Sequence, residues 1–331
     1  MKVFVTGATG FLGASLVPLL VKEGFTVTAS GRDQAKGQKL KKSGARFVRL
    51  DLSDPEGVFE AIKDHEIVVH CAALSSPWGR YEDFYQANVA NTEHVLNASI
   101  KSGVRRVVHI STPSVCFRYK HQMGILETDP LPDKKVNAYA STKFIAEGKV
   151  REAGLRGLET LILRPRGLFG PGDNAIMPRV IRAGSSGSLP VFSKGPLWTD
   201  LTYVDNVSYS ILCAINAAYQ SPGEVFNITN GEPVDLIPLF DKVFQKIGKK
   251  IKTKYIPYQL ASTSALAMEF ICRHFLNNKE PVMTRYLTGL FCFSQTLDIS
   301  KARRLLNYQP AYSMDEGIDR FACWWNRTQS R

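Results

Sequence analysis

Near its start the chain reads Thr6-Gly7-Ala8-Thr9-Gly10-Phe11-Leu12-Gly13, set directly between an apolar strand-like segment and an apolar helix-like one. Gly7 permits a tight turn, Gly10 lets the backbone approach a pyrophosphate, and Gly13 lets the helix pack closely on the strand. A bare glycine triple is weak evidence. With a strand before it and a helix after it, at the head of a βαβ series, it points to a dinucleotide site with helix N-terminal amides facing the phosphates.

Strand-like and helix-like segments then alternate through the first 165 residues. Strands are expected at 3–6, 26–30, 46–50, 67–71, 104–110 and 159–163. Helices are expected at 11–22, 34–42, 55–63, 84–101 and 138–152. Asp54 is the N-cap and Pro55 the first residue of the third helix. Short apolar strands separated by helices imply a parallel sheet covered on both faces. The fold class is therefore α/β, a doubly wound parallel sheet (Rossmann) followed by a smaller C-terminal cap that binds substrate. Breakers at Gly170-Pro171-Gly172-Asp173 and at 183–188 end the βαβ rhythm, which divides the chain into 1–170 and 171–331. In the cap, 258–275 is apolar and expected to be helical.

At 331 residues and 44% hydrophobic, the chain can bury a substantial core. Six scattered cysteines with no CxxC spacing argue against a zinc site and a disulfide scaffold, and fit a reducing, cytoplasmic compartment. No secretory signal is expected, because strand-like residues begin at once. No run of 18 apolar residues suggests a spanning helix. The net charge of +12 invites a nucleic-acid reading. However, much of the excess lies between Arg32 and Arg49, no nucleic-acid motif is present, and aromatic residues are not interleaved with the basic ones. Solvated helix faces account for most of these lysines. Attraction to an anionic cofactor or an anionic membrane surface is the sharper reading.

The end of the second strand reads Ala29-Ser30-Gly31-Arg32, with no acid before Asp33. An NAD site places an acid there for the ribose 2′-hydroxyl, whereas Arg32 suits a 2′-phosphate. NADP(H) is therefore preferred and NAD(H) remains open. Asp51 is placed to take the adenine amino group and Leu52 to pack on the ring, with a loop-capping role the alternative for Asp51. Cys71-Ala72-Ala73 closes the fourth strand with small residues that let a cofactor lie close. Farther along, Tyr139 and Lys143 stand four apart on one helix face. A lysine cation beside a phenol favours the phenolate, which brings a group of pKa about 10 nearer to neutral exchange. Ser111-Thr112 ends a strand just upstream.

These stretches resemble the extended short-chain dehydrogenase/reductases. The resemblance rests on TGATGFLG, Asp51-Leu52, Cys71-Ala72-Ala73, Asn88, Ser111-Thr112, YASTK, the run Leu163–Asp173, Leu201–Val207 and Phe226–Gly231. Together with PVMTRYLTG at 281–289 and Leu297–Ala302, they look most like the 3β-hydroxysteroid dehydrogenase branch. That branch includes sterol-4-carboxylate 3-dehydrogenases and 2-alkyl-3-oxoalkanoate reductases. The resemblance covers nearly the whole chain and implies roles. Tyr139 would be the acid–base, and Lys143 would bind the nicotinamide ribose and lower the tyrosine pKa. Thr112 would bond the substrate oxygen, with Ser111 as the alternative. Asn88 would lie near the cofactor or serve only in packing, and Pro165 and Leu168 would flank the nicotinamide.

The resulting expectation is an NAD(P)-dependent enzyme that interconverts a 3-oxo and a 3-hydroxy group on a small hydrophobic ketone or alcohol: a steroid, a sterol acid or a 2-alkyl-3-oxoacid. A nucleotide-sugar epimerase or dehydratase, with Arg179 and Arg182 on a diphosphate, stays open, as does a non-catalytic NADPH-binding regulator. No metal and no nucleic acid are expected. A homodimer through 84–101 and 138–152 and a peripheral membrane contact through 261–275 are both open, a buried cap helix being the simpler reading of the latter.

Overall fold

Residues 1–185, 187–218 and 221–329 are described by the structure, a computed structural model. Seven strands make the central sheet: β1 (Lys2–Thr6), β2 (Thr26–Gly31), β3 (Arg46–Arg49), β4 (Ile67–His70), β5 (Arg106–Ile110), β6 (Glu159–Pro165) and β7 (Glu224–Ile228). All pair in parallel, in the order β7-β6-β5-β4-β1-β2-β3. Side chains alternate across each strand. In β1, Val3 and Val5 face a core shared with Leu16, Val17, Val207 and Ile211. Phe4 faces the opposite core, with Val58, Ile62, Val95 and Val150. Helices Phe11–Lys22 and Val204–Asn216 therefore cover one face. Pro55–Ile62, Asn91–Lys101 and Ala138–Leu155 cover the other.

The expected Asp54 cap is present: its carboxylate accepts from Gly57 N at 3.1 Å, with Pro55 following. The helix expected at 84–101 starts earlier, at Tyr81, and carries a π-turn over Gln86–Ala90 before Asn91–Lys101. Sheet membership crosses residue 170 in both directions. The seventh central strand and its neighbouring helix, Val204–Asn216, come from the later half. Gln122–Ile125, from the earlier half, joins a second sheet with Gln295–Leu297, Trp198–Thr199 and Val234–Asp235. Alternating hydrophobicity cannot show which sheet a four-residue strand joins. Of the breaker run at 183–188, Ser186 lies outside the described residues.

The segment Tyr258–Phe275 is helical as expected, but it is not a buried cap helix: only Ala265 and Cys272 are buried. No helix among the described residues is long and apolar enough to cross a membrane.

Candidate active site

The glycine turn has the form its spacing demands. Gly7 has φ +63°, and a Cβ there would lie 2.7 Å from the Ala72 backbone. A Cβ on Gly13 would lie 2.5 Å from Ala8 Cα. Gly10 is the N-cap of Phe11–Lys22 and offers no capping side chain, so the first amides of that helix stay available to an anion. Thr9 packs its side chain against Gly31, while Phe11 and Leu12 are half-buried. Backbone this close to a strand end, with helix amides open, fits a dinucleotide pyrophosphate.

At the end of β2, Ser30 turns inward. Its hydroxyl donates to Val5 O at 3.2 Å, which leaves the backbone of Ser30 as the part facing the strand end. Arg32 is exposed and makes no ion pair among the described residues. Asp33 caps the next helix, accepting from Lys36 N at 3.0 Å, and that bond holds its carboxyl below the usual range. The one acid near this edge is thus already engaged. Asp51 Oδ1 accepts from Ser53 N at 3.0 Å and Ser53 Oγ at 2.9 Å, a loop-capping role. These bonds from Ser53, then the nearby Arg32 charge, keep its carboxyl low. Leu52 is buried against Val58 and Ile62 in the core.

Beyond β4, Ala72 N donates to Thr6 Oγ1 at 3.2 Å, and burial pushes the Cys71 thiol up to about 12. Ala73 is exposed. Asn88, on the π-turn, is a strap for this loop: it accepts from Leu74 N at 2.8 Å and donates to Leu74 O at 3.1 Å and Thr142 Oγ1 at 3.1 Å. The π-turn widens the helix at the residue that must reach both the loop and Ala138–Leu155. The strapped loop carries Ser75, whose hydroxyl bonds the Tyr139 phenol.

Tyr139 and Lys143 lie on helix Ala138–Leu155, whose N-cap Asn137 accepts from Ala140 N at 2.8 Å. Ser75 and Thr112 both lie beside the phenol and favour its ionised form. Burial outweighs both bonds and raises the Tyr139 pKa above its ordinary value. Lys143 Nζ is held by the end of β5. It donates to Ile110 O at 2.6 Å and to His109 Nε2 at 3.0 Å. Burial lowers its pKa to about 8, against the pull of Glu147.

The two hydroxyls at the end of β5 separate cleanly. Ser111 Oγ donates to Glu147 Oε1 at 2.7 Å, and the same carboxylate holds Arg164 through Nε at 2.8 Å and a terminal nitrogen at 2.6 Å. Thr112 faces Tyr139 and donates to Ser114 Oγ at 3.0 Å, which in turn meets Tyr286 Oη at 2.7 Å. Ser75, Ser114 and Tyr286 thus complete a hydroxyl network that residue-by-residue reading missed. Only the PVMTRYLTG resemblance flagged the stretch holding Tyr286. Pro165 ends β6 and is buried, and Leu168 pairs beside Thr202 in a short two-stranded ladder. Among the described residues no cluster suits a metal ion.

The model of the 3-beta hydroxysteroid dehydrogenase/isomerase family matches residues 4–258. An uncharacterized protein of Escherichia coli, YbjS, is 35% identical over 98% of this chain and 97% of its own. A 2-alkyl-3-oxoalkanoate reductase of Stenotrophomonas maltophilia is 34% identical over 97% of this chain and 98% of its own. Among solved structures, the UDP-glucuronic acid 4-epimerase of Bacillus cereus in complex with NAD shares the fold with a TM-score of 0.77. It is 23% identical over 98% of this chain and 96% of its own. With a glycine turn shaped for a dinucleotide and a Tyr/Lys helix beside it, the chain belongs to the 3-beta hydroxysteroid dehydrogenase/isomerase family of extended short-chain dehydrogenase/reductases and is an NAD(P)-dependent oxidoreductase.

Proposed function

We propose that the chain interconverts a 3-oxo and a 3-hydroxy group on a hydrophobic substrate, with NADP(H) as cofactor and Tyr139 as the acid–base. The observation that carries this reading is that the Tyr139 phenol lies beside the Thr112 and Ser75 side chains. A ketone oxygen needs a proton donor and a second donor within reach, and Thr112 would serve as the second by turning its hydroxyl from Ser114. A bound nicotinamide supplies the hydride in reduction and accepts it in oxidation. Tyr139 gives its phenolic proton to the oxygen of a reduced ketone, Thr112 steadies that oxygen, and Ser75 orients the phenol. Burial keeps Tyr139 in the phenol form that can give up a proton to a ketone oxygen. Lys143, at the foot of the same helix face, would turn from His109 towards the ribose.

Two further observations support parts of this reading. The engagement of Asp33 as a helix cap leaves exposed Arg32 as the polar group at the β2 edge, which suits a 2′-phosphate. Arg179 is ion-paired to Glu280 at 2.8 Å, which disfavours a second diphosphate there and hence a nucleotide sugar. The relative named for 2-alkyl-3-oxoalkanoate reduction supports an acyl ketone as substrate.

The test is a panel of long-chain 3-oxoacids, sterols and UDP-sugars assayed by NADPH and NADH absorbance. Net NADPH consumption with a long-chain 3-oxo compound, lost by at least about a hundredfold in Tyr139→Phe, is expected. Tyr139→Phe with wild-type turnover would sink the acid–base assignment.

A further inference from the structure

The hydroxyls beside Tyr139 continue into the later half of the chain. Thr112 Oγ1 donates to Ser114 Oγ at 3.0 Å and accepts from Ser114 N at 3.2 Å. Ser114 Oγ lies 2.7 Å from Tyr286 Oη. Tyr286 stands on helix Arg285–Leu290, whose N-cap Thr284 accepts from Leu287 N at 3.1 Å. The Tyr286 ring meets the Phe117 ring edge to face at 5.3 Å, so packing as well as the hydrogen bond fixes the phenol.

Beside Tyr286 lies a buried cation, Arg166, whose side-chain hydrogen bonds among the described residues go to neutral groups. One terminal nitrogen donates to Gln295 Oε1 and the other to Thr199 Oγ1 at 3.1 Å, while Nε has no partner among the described residues. Asp200, the acid in its vicinity, accepts instead from Leu297 N at 2.6 Å. Arg164, two residues earlier, shows the contrast, since two of its nitrogens hold the Glu147 carboxylate. The Arg166 charge thus reaches the Tyr286 phenol through a low-dielectric interior. Burial raises the Tyr286 pKa, and the Ser114 bond and the Arg166 charge work against that rise. The phenol keeps its proton, and the cation polarises that proton for donation.

A hydroxyl has one proton to give and two lone pairs to receive with. In this structure Thr112 gives its proton to Ser114, away from a ketone oxygen. Reversal needs Ser114 to donate to Thr112, and Ser114 does so without loss when it accepts from Tyr286 at the same time. A phenol donates more readily than an alkyl alcohol, and the Arg166 charge strengthens that bias. We propose that Tyr286, acting through Ser114, is a positioning residue that turns the Thr112 proton towards the substrate oxygen. In the ordered chain Thr112 accepts from both Ser114 N and Ser114 Oγ. Its lone pairs are then filled, and its proton is left for the oxygen on which negative charge develops. Only hydroxyl protons rotate, and the proton transferred to the ketone still comes from Tyr139. The inference rests on Thr112 being the second donor, as in the reading above.

The test is a double-mutant cycle on NADPH oxidation with 3-oxododecanoate, using Tyr286→Phe, Ser114→Ala and Thr112→Val, and each of the first two combined with Thr112→Val. Tyr286→Phe removes one oxygen and keeps the ring on Phe117. It should lower kcat about tenfold, against about a hundredfold for Thr112→Val, with KM and the NADPH Kd within about twofold of wild type. Ser114→Ala should match it, because it cuts the same chain. In the Thr112→Val background neither substitution should lower kcat by more than about twofold, since both act through the missing hydroxyl. A wild-type kcat in Tyr286→Phe, beside a loss in Thr112→Val, overturns this inference alone. So does a raised KM with unchanged kcat, which would make Tyr286 a plain substrate contact. A full tenfold loss in the Thr112→Val background also overturns it, since the effect would then be structural. Wild-type turnover in Thr112→Val overturns the reading of Thr112 as second donor, and the inference with it.

Discussion

Lowering the pH from 7.5 to 5.5 should destabilise this protein through a histidine that never reaches solvent. His70 is 1% exposed, and its two nitrogens have complementary partners. Nδ1 meets Thr6 Oγ1 at 2.8 Å, and Nε2 meets Thr92 Oγ1 at 3.0 Å. Thr92 already donates its hydroxyl proton to Asn88 O at 2.7 Å, so it accepts from Nε2–H. Thr6 accepts from Ala72 N and donates to Nδ1. The network is complete for a neutral ring, and a second ring proton would face a donor. Burial first, then the Lys143 charge, lowers the pKa from 6.5 to about 3. Between those values the unfolded chain binds a proton that the folded one refuses, so stability is full above pH 6.5 and falls as the pH drops.

At pH 5.5 the loss from His70 is about 1.4 kcal/mol. His109, also buried and held neutral by burial and Lys143, acts in the same direction. Asp200 works in the opposite sense: burial raises its pKa to about 6, so the folded state gains a proton first and recovers about 0.8 kcal/mol at pH 5.5. His70 alone outweighs Asp200, so stability falls on balance. Urea unfolding followed by tryptophan fluorescence at both pH values measures it. His70→Asn keeps one donor and one acceptor but does not titrate, so the difference in pH dependence between wild type and variant isolates about 1.4 kcal/mol. A difference under about 0.5 kcal/mol would refute the assigned network.

Arg32→Ala should raise the NADPH Kd at least about tenfold and leave NADH within about twofold, as read by fluorescence titration. Equal weakening of both would remove the basis for NADP preference. Glu147→Leu strands the buried Arg164 guanidinium and should lower stability by about 3–5 kcal/mol in urea unfolding. A variant as stable as wild type would mean that water reaches Arg164. Gly7→Val forces a Cβ into the Ala72 backbone at positive φ, so it should abolish cofactor binding or folding. Retained NADPH affinity would contradict the close approach of the turn.

Much of the sheet was legible because its strands are short, apolar and spaced by amphipathic helices. The first helix was bounded to the residue, since Gly10 opens it and Gly24 follows its end. The resemblance put Tyr139 and Thr112 at one site, and the two side chains are neighbours. The choice between Ser111 and Thr112 needed the structure, because alternate residues at a strand end face opposite ways and only the Glu147 contact shows which way is inward. A shared helix face likewise says nothing about the His109 ring that receives the Lys143 nitrogen from a neighbouring strand. Ser75 and Tyr286 are separated from Tyr139 by 64 and 147 residues, beyond the range of any local pattern. The cap helix was read as buried because apolar composition alone cannot tell a core face from an exposed one.

The seventh strand of the central sheet has a consequence for how the chain can be cut and made. β7 enters only after residue 223, and Asn227 on it donates to Ile125 O at 3.0 Å and Asp298 O at 3.3 Å. A ribosome-bound chain that has emerged only to residue 170 therefore shows β6 as an open edge, seven residues long and mostly apolar. Such an edge is a template for pairing with another nascent copy. The protein is thus expected to need the whole chain before its sheet is safe from self-association, and a fragment of the first half should be recovered as aggregate.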